Sequence, residues 1–382
     1  MLSPKLNISL FNSKILSFHF FGVLGFIFGT LLSLILAHEL RLQISIILML
    51  GLTGAVIFFG LVYAVRSITG DENIVYYHHE IAILLFSAIV LYFTKSPILS
   101  YLDIELVGIG TFLAFGRIGC FSVGCCHGRP HKYGVKYGQL HVNAGFTWFY
   151  KDVPLFPVQL IESAYVFFIV FAGIILLLSH IQPGTVLIVY TVLYGLMRYI
   201  LEFFRGDPER PIWQGLSEAQ WTTLALTAIT FIMSKAGWLP LYNWHWMILI
   251  AMIVVSSVTV YYYKKDPEKK FFYPSHILEM AEALSVLHEV NLLMVEDNPY
   301  RVNVFTTQQG LCISCSTEQS GITVNQYTIS CKNKIIINIQ SAHKLANLIC
   351  KLKNLVNKYE VIETRNGIYH ILFNENKIAI EK

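Results

Sequence analysis

The stretch GRIGCFSVGCCHGRP, from Gly116 to Pro130, gathers two arginines, three cysteines and a histidine at the end of an apolar run. Further on, Gln159 and Glu162 open a second apolar run, and Arg198, Glu202 and Arg205 close a third. Arg198 and Glu202 stand one helical turn apart, so they share a face. A guanidinium is a planar fork that binds oxygens bidentately, which suits a phosphate better than a point charge would. In a lipid setting the phosphate at hand is a phospholipid headgroup. A thiolate within reach of two arginines would have a lowered pKa and could act as a nucleophile.

Each ionised side chain at membrane depth costs about 2.5 to 3.5 kcal/mol even on a lenient insertion scale, so each needs a polar interior and a partner. Snorkelling, or structural ion pairing near helix ends, is the plainer explanation. Convergence weighs against it: Arg117, Gln159, Glu162, Arg198, Glu202 and Arg205 fall at the ends of three neighbouring runs that topology brings to one membrane face. Asp103, early in its run, is a further carboxylate for the same layer.

The elements that hold these residues are membrane helices. Of 382 residues, 55% are hydrophobic and only 14% charged, and the mean hydropathy is +0.56. Crossing a bilayer core takes roughly 20 apolar residues. About eight such runs lie near Ile15 to Ala37, Gln43 to Val65, His78 to Phe93, Leu99 to Phe121, Pro157 to Ser179, Gly184 to Phe204, Leu216 to Lys235 and His245 to Tyr263. The first is too long for a signal-peptide core and lacks a small-residue cleavage site, so it reads as a mature span. The expected fold class is an all-α polytopic membrane protein of about seven to eight transmembrane helices with a C-terminal soluble α+β domain. The boundary puts residues 1–264 in the membrane and 265–382 in the soluble domain.

Lys264, Lys265, Lys269 and Lys270 mark that boundary and suggest attraction to anionic lipid on a cytoplasmic face. A net charge of +4, scattered rather than gathered into a stripe with aromatics, gives no support to nucleic-acid binding. In the tail, Ser275 to Val290 and Ser341 to Tyr359 have helical periodicity, the second behind a capping-type serine. Val302 to Thr306, Leu311 to Ser316, Gln326 to Cys331 and Ile335 to Ile339 read as strands, and Arg365-Asn366-Gly367 as a hairpin turn between two more. No phosphate loop, metal spacing or nucleophile signature occurs there, so the tail reads as an interaction or regulatory domain of unknown role.

Seven cysteines divide into Cys120, Cys125 and Cys126 in the opening stretch and Cys312, Cys315, Cys331 and Cys350 in the tail. The Cys312-x-x-Cys315 pair has no second such pair to complete a zinc site, so buried thiols are expected. Around Cys125, Cys126 and His127 three sharper readings compete with plain packing of a tight loop. They are a nucleophilic thiolate, a metal site joined by His131 or His141, and a vicinal disulfide. Adjacent cysteines make poor joint metal ligands and a strained ring when oxidised, so loop packing is favoured and neither metal nor cofactor is expected.

The chain resembles the prolipoprotein diacylglyceryl transferases. Gly116-Arg117-Ile118-Gly119, then Phe121, Gly124, Gly128 and Arg129, is similar to the family's G-R-x-G-N-F with a downstream G-R. Pro157-x-Gln159-Leu160-x-Glu162 is similar to its P-x-Q-L-x-E, Arg198-Tyr199-x-x-Glu202-Phe203-Phe204-Arg205 to its R-F-x-x-E-F-F-R, and Leu216-Ser217 to Gln220 to its L-S-x-x-Q. The four motifs cover roughly residues 15 to 236; the eighth run and the tail lie outside them.

The resemblance implies transfer of the diacylglyceryl group of phosphatidylglycerol to the lipobox cysteine of prolipoprotein signal peptides, releasing glycerol phosphate. It implies that Arg117 and Arg198 hold the phosphate and stabilise the leaving group, that Glu202 orients Arg198, and that Gln159 and Glu162 shape the headgroup pocket. Gly116, Gly119, Gly128, Arg129 and Arg205 belong to the substrate-binding set by the same resemblance, and Cys125 and Cys126 are possible thiol contributors. The family's histidine, in an S-F-H-G-G-like stretch, has its counterpart in Tyr77-His78-His79-Glu80, which makes His78 the expected base, with His79 close behind. Cys120 stands where the pattern has asparagine, Cys125 where it has glutamate, and Phe21 where a tyrosine is frequent. These departures leave room for a different acceptor, either a small thiol, an amine or a lipid. From another class, an anion transporter or a thiol-based membrane sensor would also use the arginines.

The resemblance implies a multi-pass protein of the cytoplasmic (inner) membrane with its site facing outward. Counting Lys and Arg by loop points the other way when all eight runs span. If one run does not span, the site faces outward and the tail lies in the cytoplasm, which is the expectation.

Overall fold

A computed structural model describes residues 4–10, 13–70, 76–294, 303–319, 323–332, 336–353, 355 and 359–374. It divides the chain into two compact units. The first comprises Met1–Lys136, Pro154–Arg205 and Leu216–Thr259; the second comprises Tyr137–Val153, Gly206–Gly215 and Val260–Lys382.

The first unit opens with a hairpin that the sequence reading missed, β1 (Asn7–Leu10) against β2 (Ser13–Leu16). Its helices are α1 (Ser17–Glu39), α2 (Ile44–Thr69), α3 (Tyr76–Phe93), α4 (Ile98–Val123), α5 (Val158–Leu178), α6 (Thr185–Glu202), α7 (Glu218–Lys235) and the larger part of α8 (Asn243–Lys265), with a short strand, β3 (Pro130–Val135), after α4. All of these except α7, seven helices, are long and apolar enough to cross a membrane. The expected run from Leu216 to Lys235 is the helix α7, which is richer in polar residues. Thr223, Thr227, Thr230 and Ser234 line its buried face. The protein is a multi-pass membrane protein.

Helix α4 is the axis of this unit. It packs against α1, α5 and α6 and buries Tyr101, Ile104, Leu106, Val107, Ala114 and Arg117 along its length. Small residues let α1 come close: a Cβ on Gly29 would meet the Gly108 carbonyl oxygen at 2.7 Å. By contrast, α2 and α8 turn Leu52, Val56 and Phe59, and Ile250, Val254 and Val258, outward. Apolar surface left exposed in this way fits lipid contact.

Asp103 needs correcting. It does not join the layer of Arg117. Its carboxylate accepts the backbone N–H groups of Gly184 at 2.7 Å and Leu187 at 2.8 Å, capping the start of α6. Fourteen residues of helix, about 21 Å at 1.5 Å per residue, separate the two side chains.

The second unit carries β4 (Val304–Thr306), β5 (Leu311–Gln319), β6 (Thr323–Cys331), β7 (Tyr359–Arg365) and β8 (Ile368–Asn374) in one antiparallel sheet, ordered β4-β5-β6-β8-β7. Strand alternation puts Leu311, Ile313, Cys315, Tyr327, Ile329, Tyr369, Ile371 and Phe373 in the core. Two helices belong to the same unit. One is α9 (Pro274–Met294), which packs on β5. The other is α10 (Ile339–Lys353), which buries Ala342, Leu345, Ala346 and Ile349. Cys312 and Cys315 fall on opposite faces of β5, with only Cys315 buried, so the C-x-x-C spacing does not make a thiol pair.

Ile335 to Ile339 is not a strand in the described residues. Residues 336–338 are irregular and Ile339 begins α10. The Asn338 side chain accepts the Ser341 N–H at 2.8 Å, so Asn338, not Ser341, caps this helix. Ile335 itself, and Val356 in the expected helix, lie outside the described residues.

Candidate active site

The end of α4, the start of α5 and the end of α6 meet, and their charged side chains form a chain of alternating sign. Arg117 Nε pairs with Glu162 Oε2 at 3.1 Å. Arg198 Nη1 donates to both Glu162 oxygens, at 3.4 and 3.3 Å. Its Nη2 pairs with Glu202 Oε1 at 2.9 Å, one turn away on the same helix. Arg205 Nη1 lies 3.8 Å from the same Glu202 oxygen. The Tyr194 hydroxyl donates to Glu162 Oε1 at 3.0 Å. All five charged residues are buried.

Three guanidiniums against two carboxylates leave one positive charge in excess, in a setting where charges must be paired to be tolerated. An anion brought to this place would restore the balance. The sequence pairs Arg198 with Glu202 and places Glu162 only in the headgroup pocket. Instead Glu162 sits between Arg117 and Arg198 and holds both.

The loop after α4 is built to approach α6 closely. Gly124 ends the helix in the left-handed region, φ +88°. Gly128 N–H donates to the Phe156 carbonyl at 3.2 Å, Arg129 N–H to the Phe204 carbonyl at 2.9 Å, and Phe156 N–H to the Arg129 carbonyl at 2.9 Å. The Arg129 Nε donates to the Arg205 carbonyl at 3.1 Å. No side chain fits at Gly128, where a Cβ would strike the Phe156 carbonyl oxygen and Cβ. Gly119 sits against Phe18 of α1, while Gly116 has nothing within 4 Å of where a Cβ would stand. Gln159, also buried, donates Nε2 to the Cys125 carbonyl at 2.8 Å. Ser217 and Gln220 form a capping box on α7, and Gln220 Nε2 reaches the Tyr199 carbonyl at 3.2 Å, tying α7 to the end of α6.

Cys120, Cys125 and Cys126 converge, with their sulfurs all within 4.8 Å of one another. No described cysteine is in a disulfide. Hydrogen bonds from Cys120 and Cys125 pull the Cys126 thiol well below its ordinary range. Arg205 and Arg117 reinforce that pull, against burial.

His78 stands apart from the arginines' contacts. Its Nε2 is 2.8 Å from Glu218 Oε1, with side chains 55% and 44% exposed. His79 is buried, its ring 4.9 Å from that of Phe58. Tyrosines were missed by the sequence reading: Tyr190 and Tyr194 precede Arg198 and Glu202 at steps of four on α6, and Tyr76 and Tyr77 pack on Tyr194 from α3. That spacing of four was the signal available for the α6 pair.

The second unit holds a separate open cavity of about 590 Å³, lined by Arg210, Tyr263, Lys270 and Tyr273 among others. Arg210 pairs there with Asp207 at 3.2 Å and Lys270 lies 5.0 Å over the Tyr263 ring, so both cations are already engaged.

Comparison with known proteins decides the family. The model of the prolipoprotein diacylglyceryl transferases matches residues 5–236, which include every residue of the charge chain. The chain belongs to the prolipoprotein diacylglyceryl transferase family. Among relatives, the phosphatidylglycerol-prolipoprotein diacylglyceryl transferase of Clostridium tetani is 33% identical over 127 residues, covering 33% of this chain and 49% of that protein. The protein of the same name from Nitrobacter winogradskyi is 34% identical over 149 residues, 37% of this chain and 48% of the relative. One from Clostridium perfringens is 28% identical over 117 residues, 30% and 43%. The chain thus spans about half the length of the curated relatives it matches. The family match ends at residue 236, so α8 and the second unit's sheet lie beyond it.

Proposed function

We propose that this protein transfers the diacylglyceryl group of phosphatidylglycerol to the lipobox cysteine of prolipoprotein signal peptides, releasing glycerol phosphate. The single observation that carries the reading is the buried chain Arg117–Glu162–Arg198–Glu202–Arg205 with its one excess positive charge, formed by the residues that match the family's motifs. A phosphodiester monoanion placed beside it neutralises that excess. As the carbon–oxygen bond to the phosphate breaks, negative charge grows on the leaving glycerol phosphate. Guanidiniums already oriented by carboxylates stabilise that growth without reorganising.

In this reading Arg117 and Arg198 bind the phosphate, Arg205 and Arg129 close the headgroup side, and Glu162 and Glu202 are positioning residues. Gln159 holds the cysteine loop through the Cys125 carbonyl. The open space beside Gly116 leaves room for the donor next to Arg117, while Gly119 and Gly128 allow close backbone packing. His78, backed by Glu218 at 2.8 Å, takes the proton of the acceptor thiol. The site faces the outer side of the cytoplasmic membrane, where secreted precursors arrive; Tyr199 near the end of α6 bonds Ser256 in the last turns of α8 at 2.7 Å, so α8 ends at the membrane face that holds the site, against the expectation of a cytoplasmic exit drawn from the lysines.

The experiment is mass spectrometry of a resident lipoprotein before and after depletion of this protein. Loss of the diacylglyceryl mass from the lipobox cysteine is expected. An unchanged lipid mass overturns the reading. A diacylglyceryl product on a lipid or small thiol instead would assign a different acceptor.

A further inference from the structure

Neighbouring cysteines ordinarily send their side chains apart, which is why the sequence alone argues against a metal at Cys125 and Cys126. Two features remove that objection. Cys126 has φ +56°, a left-handed residue just after the left-handed Gly124, and this turn brings both thiols to one side. Cys120, from the last turns of α4, supplies a third sulfur, and the three lie within 4.8 Å of one another. Three sulfurs held by one zinc-class ion at about 2.3 Å stand roughly 3.8 Å apart, so the triangle closes on such an ion with about an ångström of side-chain movement.

The surroundings suit a thiolate cluster. Gln159 is 1% exposed. Its Nε2 anchors the Cys125 carbonyl, and its Oε1 is buried with no hydrogen-bond partner. Cys120 and Cys125 are also positions where this chain departs from the asparagine and glutamate of the family pattern it resembles.

We propose that Cys120, Cys125 and Cys126 bind one zinc-class ion as thiolates and leave its fourth position open for the thiol of the acceptor, an inference that rests on the transferase reading for the acceptor's identity. Three protein ligands with an open position are the arrangement of catalytic rather than structural zinc. A thiol that coordinates such an ion loses its proton, here to water or to a base. Its sulfur then forms the bond to the glyceryl carbon as the carbon–oxygen bond breaks. The electron pair leaves with glycerol phosphate, and the thioether product, a weak ligand, departs from the ion.

The test uses the reduced full-length chain in detergent, purified without a histidine tag. Elemental analysis should find one zinc per chain, lost in the triple variant Cys120→Ser, Cys125→Ser, Cys126→Ser. Replacement with cobalt should give a thiolate-to-cobalt charge-transfer band that changes when a lipobox peptide bearing a free cysteine is added, and not when its serine analogue is. A wild-type chain that takes up neither zinc nor cobalt overturns the proposal, as does zinc held equally by the triple variant, or copper with no response to peptide. Transfer at full rate after chelation also overturns it while leaving the transferase reading intact. Metal binding with the peptide response but no transferred lipid keeps the metal site and removes the transferase reading.

Discussion

Arg117 of α4 and Glu162 of α5 meet at 3.1 Å with side chains only 7% and 2% exposed. The same carboxylate holds Arg198 of α6, so one residue joins three helices through charge. Removing one member of a buried pair leaves the other charge uncompensated, at a cost of about 3 to 5 kcal/mol. Glu162→Gln should therefore lower thermal stability in detergent by several degrees. The double variant Arg117→Met, Glu162→Met should lose less than the sum of the two single variants, because it removes opposite charges together. Additive losses in thermal unfolding would mean that the pair does not couple.

Arg198 is held at two points, Nη1 on Glu162 and Nη2 on Glu202. A lysine keeps the charge but has no fork to span both carboxylates. Arg198→Lys should reduce transfer by about 10²-fold or more, the usual loss when one transition-state donor is removed, with a smaller change in the apparent affinity for donor lipid. Steady-state kinetics with varied phosphatidylglycerol separates the two effects.

Two glycines of the opening stretch should behave oppositely. Gly128→Ala forces a Cβ into the Phe156 backbone and should destabilise the fold by about 1 to 3 kcal/mol. Gly116→Ala meets nothing within 4 Å and replaces a mid-helix glycine of α4, so its stability should hold or rise by about 0.5 to 1 kcal/mol. Thermal unfolding of the two purified variants checks this. A loss of transfer in Gly116→Ala with stability retained would place donor lipid against that residue.

The soluble unit should weaken in mild acid. His276 is buried, and burial holds its pKa below the ordinary imidazole value, although the Phe271 carbonyl and Glu279 oppose the shift. Its ring nitrogens contact the Phe271 carbonyl and the Thr307 hydroxyl, each at 2.9 Å. With the folded pKa depressed, the unfolded state binds the proton first as pH falls. Stability is then full above about 6.5 and declines below it toward the folded pKa. Hydrogen exchange across β5 and β6 of the full chain, corrected for intrinsic rates, should rise between pH 7.5 and 5.5. His276→Gln should flatten that dependence.

Much of the site was legible because its charges are expensive. Arg117, Glu162, Arg198 and Glu202 stand out in apolar runs, and run order alone brings their ends to one face. The stripe Tyr190, Tyr194, Arg198, Glu202 could have been read from its spacing of four. Asp103 misled because a carboxylate in a membrane helix signals a buried partner without saying which. Its partners are the N–H groups at the start of α6, at the far end of α4. The convergence of Cys120 with Cys125 and Cys126 depends on left-handed backbone at Cys126, a non-glycine residue whose type gives no sign of it. Ile335 to Ile339 has strand-like composition, yet the Asn338 cap begins a helix there; a local side-chain hydrogen bond outweighs propensity in so short a segment.

The central claim is that the arginine chain delivers a diacylglyceryl group to a cysteine thiol. The purified full-length protein, given phosphatidylglycerol labelled in its acyl chains and a lipobox peptide, tests it most directly. Label should appear on the peptide as a thioether, with an equal amount of glycerol phosphate released and none with the cysteine-to-serine peptide or with Arg117→Ala. Intact phosphatidylglycerol and an unlabelled peptide, from protein shown to be folded, would contradict the account.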